Sequence, residues 1–240
     1  MVEVHYRGLL RHAPEFNYWN GCSTGGRQGY LLAQELPDEL DGILANAPAM
    51  YWTRFQTAQM WGQIAMKDLV GGPISSAKLA QARASVVAAC DANDGVVDGI
   101  IDDPRKCHFS AKANICGRPE APATNCLTEQ EAEAIDLIWD GPRNAKGEKI
   151  WFGLDRGTDF TGLDGSVPFF LGVIQFQWDE HNLNFDWHTV PLAGYPQVAQ
   201  DGSRNIADVT DTFGPLDGFR AHGATVCADV LSKVQTRGQR

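Results

Sequence analysis

The sequence is short of positive charge, because 20 lysine and arginine residues stand against 30 aspartate and glutamate residues, a formal net charge of −10. Proteins that bind nucleic-acid backbones need clustered lysine and arginine to displace counterions, so we expect no nucleic-acid partner. Long apolar runs are lacking as well. The longest, 167–176, contains a proline and falls well short of the roughly 20 residues that cross a bilayer, so we expect no membrane-spanning helix.

A secretory signal is also lacking at the start of the sequence. A signal has a continuous apolar segment followed by a cleavage site of small residues. Residues 1–14 instead carry His5, Arg7, Arg11 and His12 among short apolar pieces. We therefore expect any export signal to lie outside this chain.

The six cysteines include no Cys-x-x-Cys motif, which leaves no zinc-site spacing. Four of them form two close pairs around loop-like sequence, Cys90 with Cys107 and Cys116 with Cys126. These pairs indicate two local disulfides and hence an oxidising compartment. Reduced, buried thiols in a cytosolic protein are the alternative interpretation.

The first part of the sequence has the pattern of a βαβ unit. The aromatic run 16–20 ends at Gly21 and predicts a buried strand that enters a tight turn. Residues 26–36 carry leucines one helical turn apart and stop before Pro37, so a helix should follow. The apolar segment 43–47 predicts the next strand. This order of elements favours an α/β fold with a parallel sheet and helices on its faces.

Beyond this unit the sequence predicts helices over 53–66, 76–90 and 129–139. The last is signalled by Thr128 and Glu131, which have the spacing of a capping box. Residues 91–125 are rich in Asp, Gly, Pro and Cys and should form loops, and 219–226 should hold a helix end and the start of a strand. Segment 151–195 is expected to be an irregular insertion outside the sheet. Its aromatic residues include Trp151, Phe152, Phe169, Phe170, Phe176, Trp178, Phe185 and Trp187.

The turn after the first strand contains a motif that carries chemistry. Gly21-Cys22-Ser23-Thr24-Gly25 matches G-x-S-x-G, the nucleophile elbow, with an apolar strand before it and a helix after it. A strained turn would project the Ser23 hydroxyl, and we expect glycines at 21 and 25 because side chains there would collide with the turn. Gly26 would let the helix start close to the strand, and the Thr24 amide would be the oxyanion donor. A plain glycine-rich turn containing a serine is the alternative.

The sequence around Ser23 resembles the signature of the tannase/feruloyl esterase family, α/β-hydrolases with a calcium-binding lid domain. The similarity covers 18–29 and continues through Pro37-Asp38 to Ala47-Pro48-Ala49. It implies a serine carboxylesterase that cleaves esters of hydroxycinnamic or gallic acids through an acyl-serine intermediate. In that family the residue before the serine is a cysteine bonded to a second cysteine beside the catalytic histidine, and Cys22 occupies the first position.

An acidic segment, 91–100, forms a second candidate site. Carboxylates this dense repel each other unless a hard cation compensates, and Gly95 and Gly99 let the backbone turn its carbonyls inward. The spacing is not that of an EF-hand, and an acidic surface turn is the alternative. The segment resembles the calcium loop in the family's lid, which implies a structural Ca²⁺. The implied ligands are the side chains of Asp91, Asp94 and Asp98 and the backbone carbonyls of Val96 and Ile100.

The rest of a serine-esterase triad is not found. The family pattern continues after Gly223 with an aspartate and later a His-Cys pair, but the remaining 17 residues, ATVCADVLSKVQTRGQR, contain no histidine. Cys227 and Asp229 have no motif around them. We assign none of His181, His188 and His222 as the base, because lone histidines are far more often structural. We therefore expect a fragment that lacks both ends of the catalytic domain, in which Cys22 is unpaired.

The resulting hypothesis is a partial α/β-hydrolase fold with a large, loop-rich, helical lid insertion. Its expected parts are a hydrolase segment (1–52), a lid with the calcium loop (53–215) and a truncated return (216–240). The expected function is hydrolysis of a small aromatic ester, with the lid's aromatic residues stacking on the acid's ring, and the family implies a secreted or periplasmic protein. A catalytically inactive, calcium-stabilised binding protein is one alternative, and an acyltransferase or peptidase on the same fold is another. The sequence does not determine the oligomeric state.

Overall fold

The computed structural model of the protein describes residues 12, 14–160, 162–165, 170–205 and 214–229. The chain divides into two units, the first formed by Met1–Tyr51 with Asp211–Arg240 and the second by Trp52–Thr210. Phe169, which belongs to the aromatic-rich segment, lies outside the described residues, as do most of 1–14 and the chain beyond Asp229.

The strands are β1 (Tyr18–Cys22), β2 (Gly42–Asn46) and β3 (Thr225–Asp229). The α-helices in the described ranges are α1 (Thr24–Glu35), α2 (Trp52–Ala58), α3 (Trp61–Val70), α4 (Ser76–Cys90), α5 (Glu129–Asp140), α6 (Phe170–Asp179), α7 (Tyr195–Asn205) and α8 (Asp217–Ala221). Short 3₁₀ helices occupy Asp91–Asp94, Pro104–Lys106, Ala111–Asn114, Trp187–Thr189 and Leu192–Gly194.

The strands form one parallel sheet in the order β1-β2-β3, so the predicted βαβ unit is confirmed. In the register, Cys22 pairs with Asn46, and Asn46 pairs with Asp229, so the carboxyl ends of the strands lie level. The expectation of a buried first strand is wrong in part. Strand β1 starts at Tyr18, whose side chain is 71% exposed, because the apolar core of this unit lies on the other face of the sheet.

The core of the first unit is small. Its buried residues are Ala33 of α1, Ile43 and Ala45 of β2, and Phe219 of α8. Ile43 and Ala45 are two apart in a strand and therefore share a face. Helices α1 and α8 thus cover the same face of the sheet.

The second unit is helical. One core cluster gathers residues of α3, α4 and α5, and another gathers residues of α3, α6 and α7. Helix α5 begins with the predicted capping box, in which Glu131 N–H donates to Thr128 Oγ1 at 3.1 Å and Thr128 N–H donates to Glu131 Oε2 at 2.8 Å. Lys78 of α4 adds an ion pair to the same Glu131 carboxylate at 2.6 Å. This contact joins α4 to α5.

Two helix predictions in this unit need correction. The helix expected over 53–66 is two helices, because Gln59 and Met60 donate to carbonyls three residues back and end α2 with a tight turn. The segment expected to be irregular contains α6, whose apolar residues are spread around the helix and hide its period. Both predicted disulfides are present, Cys90–Cys107 and Cys116–Cys126, with Cα–Cα distances of 5.6 and 5.0 Å.

Within the described part of the chain, no helix has both the length and the apolar character needed to cross a membrane.

Candidate active site

Ser23 lies between β1 and α1, at the carboxyl edge of the sheet, and its side chain is exposed. Its backbone has φ 58° and ψ −116°, a conformation that is rare for a residue with a side chain and costs on the order of 1–3 kcal/mol. Hydrogen bonds from neighbouring segments hold this turn. Ser23 N–H donates to the Asn46 carbonyl at 3.0 Å, and the Ser23 carbonyl accepts from Arg27 and Ala49, each at 3.1 Å.

The glycines around Ser23 differ in what they do. A Cβ at Gly21 would lie 2.4 Å from the Gly25 carbonyl carbon and oxygen, so the predicted need for glycine holds there. A Cβ at Gly26 would lie 2.9 Å from the Asn46 carbonyl oxygen, so Gly26 permits close helix–strand packing. The predicted collision at Gly25 is wrong, because a Cβ there meets nothing within 4 Å. The carbonyl of Gly25, rather than its Cα substituent, faces Gly21.

The Trp19 side chain contacts the turn that contains Ser23, and this contact was not predicted from the sequence. Its indole Nε1–H donates to the Gly25 carbonyl at 2.9 Å. Its ring also lies against Gly29, where a Cβ would come 2.9 Å from Trp19 Cδ1. The alternation of side chains along a strand could have indicated this contact, because Trp19 and Gly21 are two residues apart and therefore lie on the same face of β1. A large ring beside a glycine on one face indicates that the ring needs that space.

The first turn of α1 begins at Thr24, so the Thr24 N–H has no carbonyl partner within the helix. Helix N-termini attract negative charge, and no acidic residue lies in this first turn. Thr24 therefore stays the predicted oxyanion donor.

His222 lies at the opposite edge of the sheet from Ser23. It precedes β3, and its Nδ1 is 3.6 Å from the Asp38 carboxylate, which precedes β2. Because the strands are parallel, the residues before β2 and β3 lie at the amino edge. A five-residue strand, roughly 16 Å long, separates the two edges. His222 therefore cannot take the Ser23 proton in this arrangement.

His188, in the second unit, has a carboxylate partner of its own. His188 Nδ1 lies 2.6 Å from the Asp186 carboxylate, and this hydrogen bond holds the pKa of Asp186 below its ordinary value. His188 also stacks on Trp187, and His181 is exposed. Among the residues that the structure describes, no hydrogen bond joins a histidine to the Ser23 hydroxyl. The base and its acid partner thus remain unassigned.

Cys22 is an exposed free cysteine, as is Cys227 on β3. Strand β2 lies between their strands, so β1 and β3 are about 9.6 Å apart for a strand spacing of about 4.8 Å. The two cysteines are farther apart than this, because Cys22 pairs with Asn46 whereas Cys227 pairs with Leu44, two residues earlier on β2. Disulfides need Cα atoms within about 7 Å, so these cysteines do not bridge.

The acidic loop, residues 91–100, is held by hydrogen bonds between its own residues. The buried Asp91 carboxylate accepts backbone N–H groups of Asp98, Gly99 and Ile100 at 3.1–3.3 Å. Gly95 and Gly99 have positive φ, 92° and 83°, as the turning role predicted for them requires. No three acidic, histidine or cysteine side chains in the described ranges are grouped as a metal site. The oxygen-only donor set suits Ca²⁺, but this arrangement does not gather the three carboxylates, so a cation would compete with the amides on Asp91.

Comparison with known proteins identifies the family. The family model described as "Tannase and feruloyl esterase" matches residues 5–182, which is well over half of the chain. The chain belongs to the tannase and feruloyl esterase family. An uncharacterised esterase of Xanthomonas campestris is 32% identical over 238 residues, and a protein of Arthroderma benhamiae named "Probable feruloyl esterase" is 34% identical over 200 residues. The matches cover 87% and 77% of this chain but only 39% and 36% of those relatives.

Solved structures show the same fold. Feruloyl esterase B from Aspergillus oryzae superposes with a TM-score of 0.81 at 22% identity, over 94% of this chain and 46% of that one. Tannin acyl hydrolase from Aspergillus niger superposes with a TM-score of 0.74 at 22% identity, over 92% of this chain and 45% of that one. This member of the tannase and feruloyl esterase family therefore has a partial α/β-hydrolase fold, and it spans less than half the length of the relatives it matches.

Proposed function

We propose that this chain carries the nucleophile of a carboxylic ester hydrolase of the tannase/feruloyl esterase type, with Ser23 as the attacking residue. The observation that carries the proposal is the backbone of Ser23, which is held in a rare conformation at a strand–helix junction with its side chain exposed. A serine in a plain turn needs no such strain.

The chemistry follows from this position. Ser23 Oγ would attack the ester carbonyl carbon, and the Thr24 N–H would donate to the oxygen as it gains negative charge. The alcohol leaves with a proton, and water then cleaves the acyl-serine bond. A base must accept the Ser23 proton, and His222, at the opposite edge of the sheet, is not placed for this. The contribution of the described residues is therefore to hold the nucleophile and one oxyanion donor.

The substrate class follows from the relatives. Their names are feruloyl esterase and tannin acyl hydrolase, so we propose an ester of an aromatic acid as the small-molecule partner. The two local disulfides are of a kind that forms in oxidising compartments, which supports a secreted or periplasmic location for this chain.

A fluorophosphonate probe tests the nucleophile directly, because it reacts with activated serines. We expect an adduct on Ser23 in the folded chain, located by mass mapping and abolished by Ser23→Ala. Ser75 is the matched control, because it is an exposed serine that directly precedes a helix, α4, as Ser23 precedes α1. Its backbone is extended, with φ −62° and ψ 147°, so Ser75→Ala should leave labelling unchanged.

Failure of a folded chain to form this adduct would contradict the proposal. It would favour the alternative of an inactive, calcium-stabilised binding protein. If the adduct forms, the fate of a bound acyl group separates the remaining candidates, since transfer to an added alcohol in preference to water would indicate an acyltransferase.

We further propose that the acidic loop rearranges to bind a structural Ca²⁺ through the side chains of Asp91, Asp94 and Asp98 and the carbonyls of Val96 and Ile100, with the cation replacing backbone N–H groups as the partner of Asp91. Three carboxylates within eight residues, with no lysine or arginine among residues 91–100, support this proposal. Binding to the folded state alone raises stability by about 2.7 kcal/mol at a hundredfold excess over Kd.

Thermal melting tests the cation. We expect added Ca²⁺ to raise the Tm, a chelator to lower it, and Asp94→Asn to remove most of the difference between the two conditions. Glu133→Gln removes one exposed carboxylate from α5 and should leave the calcium effect intact. Equal melting temperatures with Ca²⁺ and with chelator would remove the calcium proposal and leave the acidic-turn interpretation.

A further inference from the structure

A cavity of about 260 Å³ lies in the second unit beside α4 and opens to solvent on one side. Its lining residues all belong to the unit Trp52–Thr210, whereas Ser23 belongs to the other unit. The cavity is therefore built without any residue of the candidate active site. Helix α4 supplies four lining residues, which recur at helical spacing and so share one face: Ser76, Leu79, Ala80 and Arg83.

Two hydrogen bonds hold the opposite wall of the cavity to α4. Arg83 Nε–H donates to the Gly157 carbonyl at 2.9 Å, and Ser76 Oγ–H donates to Asp164 Oδ2 at 2.5 Å. Ser76 and Arg83 are two helical turns apart, which is roughly 10 Å along a helix. The wall is thus fixed to α4 at two points, and the cavity lies between them.

The opposite wall is also held from behind, by α3 and by the core. Gln63 Nε2 of α3 donates to the Leu163 carbonyl at 3.3 Å, and Leu163 packs against Gly62 of the same helix. Phe160 is buried in the core cluster of α3, α4 and α5, with an exposed fraction of 4%. Both walls are therefore in place before a ligand binds, so binding loses little free energy to the ordering of side chains.

The polar groups at the two ends of the cavity differ in what they offer. In the part of the chain that the structure describes, the Arg83 side chain makes one hydrogen bond, through Nε, so its Nη–H groups are free to donate. The Asp164 side chain accepts there through Oδ2, which leaves Oδ1 free to accept. Asp159 adds a second carboxylate to the lining, and Leu79 and Phe160 supply carbon surface. The cavity thus combines donors, acceptors and an apolar surface.

These charges decide which class of ligand fits. An anionic ligand would meet two carboxylates and only one guanidinium. A cationic ligand would compete with Arg83 for the carboxylates and would leave the Arg83 N–H groups without an acceptor. An uncharged hydroxyl group suits both ends, because it accepts from a guanidinium and donates to a carboxylate. Pockets for drug-sized ligands have volumes of roughly 300–1,000 Å³, so this smaller cavity fits about one ring.

We propose that this cavity is a second binding site, for a single ring that carries uncharged hydroxyl groups, as sugars and phenols do. One hydroxyl accepts from the Arg83 guanidinium, another donates to the Asp164 carboxylate, and the ring lies on Leu79 and Phe160. The site involves no chemical step and no contact with Ser23. The chain therefore binds such a ring whether or not it hydrolyses esters.

Saturation-transfer NMR on the whole chain, with the Kd taken from a titration, tests the site. The neutral probes are methyl β-glucopyranoside for a sugar ring and catechol for a phenolic ring. We expect at least one of them to bind, and binding of one alone would identify the kind of ring. Charged analogues of the same rings should bind more weakly than the neutral probe. The anions are glucuronate and protocatechuate, and the cations are glucosamine and dopamine.

Two variants locate the site. Arg83→Gln removes the guanidinium and should raise the Kd of the bound probe by about tenfold or more, because hydrogen bonds from a charged donor are lost. Ala80→Leu fills the cavity but keeps both hydrogen bonds that hold the wall, so it should abolish binding even if Arg83→Gln does not fold. Ala84→Leu is the matched control, because Ala84 is exposed one turn further along α4 and does not line the cavity. Its Kd should equal that of the original chain.

Three results would overturn the proposal. One is a folded chain that binds neither neutral probe, and another is a Kd that Ala80→Leu leaves unchanged. The third is tighter binding of a charged analogue than of the neutral probe.

Discussion

Replacing Gly21 with alanine is expected to destabilise the first unit by about 3 kcal/mol or more. The new Cβ would lie 2.4 Å from the carbonyl carbon and oxygen of Gly25 and 2.7 Å from Trp19 Nε1. Backbone atoms cannot move aside as a flexible side chain can, so β1 and α1 would have to separate. This movement would also distort the backbone conformation of Ser23. We therefore expect the variant to lose fluorophosphonate labelling as well as stability.

Gly25→Ala is the matched control, because the same substitution in the same motif meets open space. Gly25 lies in the first turn of α1, where alanine is at least as favourable as glycine. We expect its stability to stay within about 0.5 kcal/mol of the original. Chemical denaturation of both variants checks the pair. Equal destabilisation by the two substitutions would contradict the explanation that position 21 requires glycine because a Cβ there would collide with the Gly25 carbonyl.

Removing the Cys90–Cys107 disulfide, as a double alanine variant, is expected to destabilise the second unit by about 3 kcal/mol from chain entropy alone. The bridge closes a loop with a sequence separation of 17 that contains the acidic segment. Both cysteines are also buried in the core cluster of α3, α4 and α5, so lost packing adds to this loss.

The Cys116–Cys126 bridge provides the comparison, since it closes a loop with a separation of 10 and Cys116 is exposed. Chain entropy alone predicts a difference between the two double variants of only about 0.4 kcal/mol. If the two double variants differ in stability by more than this, we expect the excess to come from the lost packing of Cys90 and Cys107. Thermal melting of both variants under oxidising conditions measures it. A larger loss on removing Cys116–Cys126 would contradict the core role of Cys90 and Cys107.

Features set by neighbouring residues could be predicted from the sequence. The capping box depends on Thr128 and Glu131, three residues apart, and the two disulfides join cysteines across short loops. The βαβ unit depends on periodicity within about 30 residues. The strand bounds shifted by one or two residues, because hydrogen bonding to β2 rather than composition decides where β1 begins.

Features set by distances between separate segments could not be predicted. The sequence motif treats the glycines at 21 and 25 alike, and only the packing of α1 on β1 shows that Gly21 alone of the two faces backbone atoms. The break between α2 and α3 and the helix α6 likewise depend on packing within the second unit.

The sequence by itself determined the family, the strand–turn–helix that carries Ser23, and the local cross-links, because each depends on residues close together in the chain. Tertiary structure decided the rest. Parallel strand direction puts His222 at the edge opposite Ser23, and Trp19 donates to the Gly25 carbonyl. Each of these depends on how chain segments pack in space, and no spacing along the chain specifies that.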